Sequence, residues 1–389
     1  MTSDSERLLA RDAPLVWSTS LMFASTLLGA LTVVPWYGFA VGYSSAAWIS
    51  FAVLLVATGL SITAGYHRLW AHRAYAAHPV ARLVLMVFGT MAIQNSVLVW
   101  ASGHRTHHRY VDDVDRDPYS ARRGLWFSHI GWMLRDYPSG RPDFSNVPDL
   151  RRDPMVMFQH RHYLPLVLLT NLGLPLLIGA AVGDVVGVLL LGGLLRLVVN
   201  HHVTFCINSL AHFWGTQPYT DENTARDNPL LAFLTYGEGY HNFHHLYAAD
   251  YRNGVRWWQW DPTKWLIRGL SLIGLCRNLR RIPDFTIQRA RLAMQFRRLE
   301  RRIAARGAAA PASPRLDLDA LRTQLAREYE VFMHTVEAWV RARDEWYACT
   351  RDRIVQRFER SEFRRQSRAY LQTLRAQRRR LEVLGARLA

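Results

Sequence analysis

Lysine is almost absent from this chain: Lys264 stands alone among 48 basic residues. The rest are arginine, a bias that suits a GC-rich genome better than any mechanism. Cysteine is nearly as scarce. Cys206, Cys276 and Cys349 show no paired spacing, which excludes a disulfide framework and a cysteine-type zinc site. No Gly-rich nucleotide fingerprint and no haem-attachment segment is visible. The opening MTSDSERLLARDAPLVW lacks the basic start and small-residue cleavage site of a removed leader, so a retained first membrane segment is expected. Acids are too few to balance the bases, and the net charge is +17. Such a balance suits nucleic acid, anionic lipid or an acidic partner. The apolar content favours the last two, and no nucleic-acid role is expected.

What is plentiful is apolar sequence, half of 389 residues, with 14 tryptophans. That length holds a membrane-embedded body plus an appendage. Four stretches, 15–40, 45–64, 163–182 and 184–206, approach the roughly 20 apolar residues that span a bilayer. A fifth, 79–100, contains Arg82, Gln94 and Asn95 and is read as a helix lying at or dipping into the interface. The turns at 41–47 and near Asp184 carry no Arg or Lys, whereas the N-terminus, 66–162 and everything after 206 are rich in Arg. The positive-inside rule then puts both termini in the cytoplasm, with a bacterial inner membrane as the expected location.

Histidines crowd at YHRLWAH, GHRTHHRY and EGYHNFHH. His104, His107 and His108 stand at i, i+3 and i+4, as do His241, His244 and His245. On a helix that spacing presents all three rings on one face. His67 and His72 are five apart; they can share a site across a helix end or bend, though one regular helix aligns them poorly. NSLAH adds Asn208 and His212 at the end of the fourth span. The expected topology places all of these on the cytoplasmic side. Imidazole suits iron, zinc and copper. Nine histidines are too many for one four-coordinate zinc and suit two metals with open positions. His78, His129, His160, His162, His201, His202 and His334 are read as packing residues or neighbours of the ligands.

HRLWAH, HRTHH, NSLAH and GYHNFHH, in this order between these membrane segments, resemble the membrane fatty acyl desaturases, the stearoyl-CoA Δ9 type most of all. The resemblance runs from about 15 to 285 and includes DRDPYSARRGLWFSHIGWML. It implies an all-α membrane protein: four transmembrane helices under a cytosolic helical cap that carries a di-iron site. The implied ligands of two ferrous ions are His67, His72, His104, His107, His108, His212, His241, His244 and His245, with Asn208 through water. It further implies an O2-dependent desaturation that inserts a cis double bond, at Δ9, into a saturated long-chain acyl group. A narrow apolar tunnel would place the target carbons. The match retains Asn95 and Trp100, and Trp100 is a candidate for the tunnel wall or for an interface anchor. Family members acting on acyl-CoA carry an Arg-Asp pair where this chain has Ser102 and Gly103. The carrier is thereby left open between acyl-CoA, an acyl-carrier protein and an acyl lipid. Arg122 and Arg123 are candidates for a phosphate or a lipid headgroup.

Imidazole ligands need carboxylates to orient them. Glu238 is the first expectation; Asp112, Asp113, Asp115 and Asp117 are weighed as further orienting groups or as balance for nearby arginines. Electrons must come from a separate ferredoxin, flavodoxin or cytochrome, steered by a basic face. Rival readings are a hydroxylase on the same scaffold and a non-catalytic metal-binding scaffold.

The expected division is a core at 1–285, a basic helix and linker at 286–314, and a helical extension at 315–389. Residues 286–389 hold 24 arginines and 12 acids, so they carry +12 of the +17. Leu325, Phe332, Trp339 and Trp346 recur every seven, with Tyr329 and Val336 between them, and Leu374, Leu381 and Leu388 repeat the spacing. That heptad pattern predicts a hairpin or coiled coil able to form homo-oligomers. Binding to anionic lipid or to an acidic carrier are the alternatives for its charge.

Overall fold

The computed structural model describes residues 13–309, 317–348 and 353–387. The readings of the first twelve residues, of most of the 307–314 linker, of Cys349 and of Leu388 lie outside these. The described residues gather into two compact units. One holds the chain up to Thr216 and Asn223–Arg281; the other holds Gln217–Glu222 and the chain from Ile282 on.

In the first unit, α1 (Trp17–Ala40) and α2 (Ser45–Ala71) are long and apolar enough to cross a membrane, as are α5 (Tyr163–Val182) and α6 (Val185–Phe213). Leu28, Leu31 and Phe39 on α1 are exposed, as a lipid-facing side requires. Both turns between paired spans are pinned by one carboxylate. Asp184 accepts from the Ser44 hydroxyl at 2.5 Å and from the Gly187 amide at 2.8 Å, while Ser44 caps the start of α2. Inside α6, Arg196 is fully buried. Its guanidinium donates to the carbonyls of Gly192 and Met91 and to Asn171 Oδ1, which satisfies it without a carboxylate.

The 79–100 stretch is not one helix. It divides into α3 (Pro79–Thr90) and α4 (Val97–Tyr110). Ile93 and Asn95 adopt positive φ in the break, and Ser96 caps α4 by accepting the Val99 amide. Of the polar residues that disfavoured a spanning helix here, Gln94 and Asn95 lie in the break, while Arg82 sits inside α3. Two short strands, β1 (Ala76–Ala77) and β2 (Cys276–Arg277), pair antiparallel and tie the segment after α2 to the end of the unit. Among its shorter helices are α7 (Pro229–Leu234), α8 (His241–Leu246) and α9 (Pro262–Leu272).

The second unit contains three helices, α10 (Asp284–Ala309), α11 (Leu318–Ala348) and α12 (Arg353–Arg387). Their core takes Phe285, Leu292 and Phe296 from α10, Leu325, Phe332 and Trp339 from α11, and Leu374 and Leu381 from α12. Most of the heptad seam that suggested self-association is therefore closed within the chain, while Tyr329 stays exposed. Three helices offer each other enough apolar surface to bury it.

Candidate metal centre

The segment that carries the first two histidines solves their spacing by changing helix type. From Ser61 to Ala71, α2 winds as a π-helix. In that geometry the backbone bonds run from i to i+5, so residues five apart stack on one side. The His72 amide accordingly reaches the His67 carbonyl at 3.0 Å, and the two rings lie 4.7 Å apart. The poor alignment expected of a regular helix is corrected by the wider turn. Its C-terminal carbonyls would be orphaned there. Arg105 on α4 satisfies them, donating from Nη2 to Trp70 O and from Nε to Ala71 O at 2.9 Å each, while Nη1 and Nη2 also grip Asp149.

Nine histidines converge into two groups. His67, His72, His104, His108 and His244 form one; His107, His212, His241 and His245 form the other. Within each group the available ring nitrogens all lie within 4.8 Å of one another. His67 and His244 approach through Nε2 at 3.0 Å, His72 and His104 at 2.7 Å, and His107 and His245 at 3.3 Å. Asn208 sits half-buried at the end of the regular turns of α6, and a break at Ser209 then presents His212.

Carboxylates fix several of these rings from behind. His67 Nδ1 donates to Glu238 Oε2 at 3.0 Å. His107 Nδ1 donates to Asp117 Oδ1 at 2.8 Å. His212 Nδ1 lies 2.8 Å from the Thr224 hydroxyl, which in turn donates to Asp112 at 2.6 Å. Each such bond commits the proton to Nδ1 and leaves Nε2 as a lone pair aimed inward. Glu238, the first of the expected orienting groups, lies against His67. Two of the four aspartates do more than balance arginines, namely Asp117 directly and Asp112 through Thr224. Asp113 does pair with Arg116, and its oxygen also accepts the Asp115 amide.

Glu238 is held in turn. Arg68 donates to its Oε1 at 2.8 Å and Asn253 to its Oε2 at 2.6 Å, while Arg68 also bridges to Asp261. Burial works to raise the Glu238 carboxyl, but His67 and Arg68 outweigh it and hold the group down at about 2. Backbone approach at this point demands glycine. Gly237 has φ +102, and a Cβ on Gly239 would fall 2.1 Å from the Ala232 amide. Arg68, Asn253, Asp261, Thr224 and Tyr119, whose hydroxyl is 3.2 Å from His104 Nδ1, carried no signal in the sequence beyond proximity to a histidine in some cases.

Six of the rings, all outside the membrane segments, favour the neutral form. Burial first, then neighbouring imidazoles, holds His72, His104, His108, His241, His244 and His245 well below the ordinary range. Converging lone pairs that cannot take up protons need a cation. The buried His212 Nε2 has no hydrogen-bond partner, as expected of a nitrogen reserved for one. The residues fit two metal ions.

Trp100 stacks on His104 with centroids 4.7 Å apart, and its ring nitrogen donates to Gln94, which bonds Thr204. Asn95 is exposed in the break before α4, where it takes a left-handed backbone conformation. Arg122 is exposed, and Arg123 lies 3.7 Å over the Phe127 ring. Ser102 is buried and donates to Asp143 O, while Gly103 faces open space. On the far side of α4, Arg105, Arg109, Arg116 and Arg141 line a cavity of about 280 Å³.

Comparison with known proteins gives the same direction. The profile of the family described as Fatty acid desaturase matches residues 43–272. Acyl-CoA desaturase 1 of Saccharomyces cerevisiae is 46% identical over 245 residues, covering 63% of this chain and 48% of that protein. Stearoyl-CoA desaturase of Bos taurus is 37% identical over 280 residues, covering 70% and 76%. Delta(9)-fatty-acid desaturase fat-7 of Caenorhabditis elegans is 36% identical over 283 residues, covering 71% and 82%. The chain thus spans about half the length of the yeast relative it matches.

Proposed function

The chain belongs to the fatty acid desaturase family, and from that premise we propose that it desaturates a saturated long-chain fatty acyl group at Δ9. One CH2–CH2 pair, one O2, two electrons and two protons become one cis CH=CH and two waters. The observation that carries this reading is the convergence of nine histidines into two groups of five and four.

The proposed ligands are those nine histidines, with Asn208 completing the smaller group through water. Two irons bound there would supply the O2 activation and hydrogen-atom removal that no side chain can perform. The chain's own residues do the rest. Glu238, Asp117 and the Thr224–Asp112 pair hold imidazole protons at Nδ1, so that Nε2 stays free as a ligand. Trp100 lays an apolar wall against His104 and keeps water from the reacting carbons. Burial disfavours the charged form of His72, His104, His108, His241, His244 and His245.

For the carrier we favour acyl-CoA. The yeast and bovine relatives are named for it, and the arginine-lined cavity beside α4 suits a phosphorylated group better than the buried Ser102 does. Arg122 remains the exposed candidate for a phosphate; Arg123 is engaged with aromatic rings. Electrons come from a separate small carrier, and the histidines face the cytoplasmic side of a bacterial inner membrane. The test is expression in a host lacking Δ9 unsaturates, followed by analysis of its acyl chains. Monounsaturated chains with the bond at C9 are expected; hydroxylated chains, or none altered, would overturn the proposal.

A further inference from the structure

Outside the four spans, the first unit exposes an unusual concentration of aromatic surface. Trp257 is 84% exposed and Trp258 59% exposed, with Trp260 and Trp265 beside them at 42% each. Soluble surfaces seldom leave contiguous apolar patches of this kind uncovered.

The exposure is built in. The loop 254–260 is pinned from within by Lys264, the chain's single lysine. Its ammonium donates to the carbonyls of Gly254, Arg256 and Gln259 at 2.6–2.9 Å. Asp261 accepts the amides of Asn253 and Gly254 from the other side. With its backbone so held, the loop has no freedom to fold the indoles inward.

The patch is also continuous with the lipid-facing side of the fourth span. Phe213 and Trp214 are exposed where α6 ends, and Asn228, which caps α7, donates to Trp214 O. On α7, Leu230 and Phe233 point outward. Phe233 packs on Trp260 at 5.0 Å, and Trp260 on Trp265 at 5.4 Å. From there α9 carries the line on, with Trp265 and Leu272 seven residues apart on its outer face and Arg268 between them.

We propose that α7, the 254–260 loop and the outer face of α9 form a monotopic insertion surface that lies in the lipid interface beside the end of the fourth span. Tryptophan is the residue of choice at that depth, where the ring is apolar and the N–H stays wet. Arg256 and Arg268, both exposed among the indoles, suit the phosphate layer above it. The surface is joined to the histidine groups by one rigid path. Asp261, at the start of α9, pairs with Arg68, which pairs with Glu238, which holds His67. Seating this face in lipid therefore sets the depth of the site, at the level where long acyl chains dissolve. The inference depends on membrane embedding and not on the desaturase reading.

The test uses the full chain labelled with 5-fluorotryptophan in phosphatidylcholine nanodiscs. Fluorine signals of Trp257 and Trp258 are assigned by their absence in Trp257→Phe and Trp258→Phe. A doxyl label near the carbonyl end of the lipid chains should abolish both signals, while a water-soluble gadolinium chelate leaves them. Loss to the chelate with survival against the doxyl lipid would show the face in water and overturn the proposal. Survival against both would show it covered by protein, such as a second copy, and would overturn it equally.

Discussion

His67 Nδ1 lies 3.0 Å from Glu238 Oε2, across a stretch of chain that carries two of the four membrane-spanning helices. Both are buried, and the same carboxylate is shared with Arg68. One bond thus joins the π-helical end of α2 to the loop that precedes the last histidine cluster.

Glu238→Gln keeps the shape and removes the charge. We expect iron content and desaturation to fall about 10- to 100-fold, as for other outer partners of metal-bound imidazoles. Metal analysis of the purified variant, alongside its product yield, checks this; unchanged iron and unchanged product would refute it.

The same carboxylate carries a pH signature. Its folded pKa of about 2 lies below the unfolded value of about 4.3, so the unfolded chain binds the proton more readily. The stabilisation is complete above the unfolded value and is lost as pH falls toward the folded one. Thermal unfolding of the wild type and Glu238→Gln should differ by a constant margin from pH 7 to about 5, and the margin should shrink below that. A margin that is flat down to pH 3 would contradict the assignment.

Asp117→Asn and Asp112→Asn act on the smaller histidine group. Each should lower activity about 10- to 100-fold and cost the protein the metal of that group first. Asp113→Asn removes only an exposed pair with Arg116 and should change neither reading. Equal behaviour of all three variants would mean that the bonds to His107 and to Thr224 are incidental.

Arg105→Met strips the π-helix of the donors at Trp70 O and Ala71 O. A loss of about 1–3 kcal/mol in stability is expected, with weakened metal retention because His72 follows that turn directly. Arg105→Lys should not rescue it, since one ammonium cannot match a fork that serves Trp70, Ala71, Asn146 and Asp149 together. Recovery of full metal content in the lysine variant would count against this account.

Gly239→Ala places a methyl 2.1 Å from the Ala232 amide, where backbone must move. Gly103→Ala meets nothing within 4 Å. The first should abolish product and lower the unfolding temperature by several degrees, an effect of about 1–3 kcal/mol. The second should be silent, and a matched pair of melting curves decides.

Much of this protein was legible in its residues. Apolar runs of bilayer length are local, so the four spans could be read from composition alone, and the histidine triplets at i, i+3 and i+4 announced one face of a helix. The order of the boxes was enough to suggest the family and the metals. The aspartates show the limit. Asp117 and Asp113 are four residues apart, yet one holds His107 and the other an exposed arginine. Nothing in their neighbourhood distinguishes them before the chain folds. Likewise, a heptad states that a seam will be buried without stating whose helix will bury it, and here α10 and α12 of the same chain do so.

The sequence by itself determined the class of structure and the ligand chemistry, because hydrophobic length, helical period and imidazole basicity are properties of short segments. Only the tertiary structure decided that His67 and His72 share a site, by winding α2 as a π-helix that Arg105 and Glu238 hold from distant segments. It also divided the nine rings into five and four. Those outcomes depend on which groups meet across a hundred or more residues, and the free energy of such meetings belongs to the packed whole.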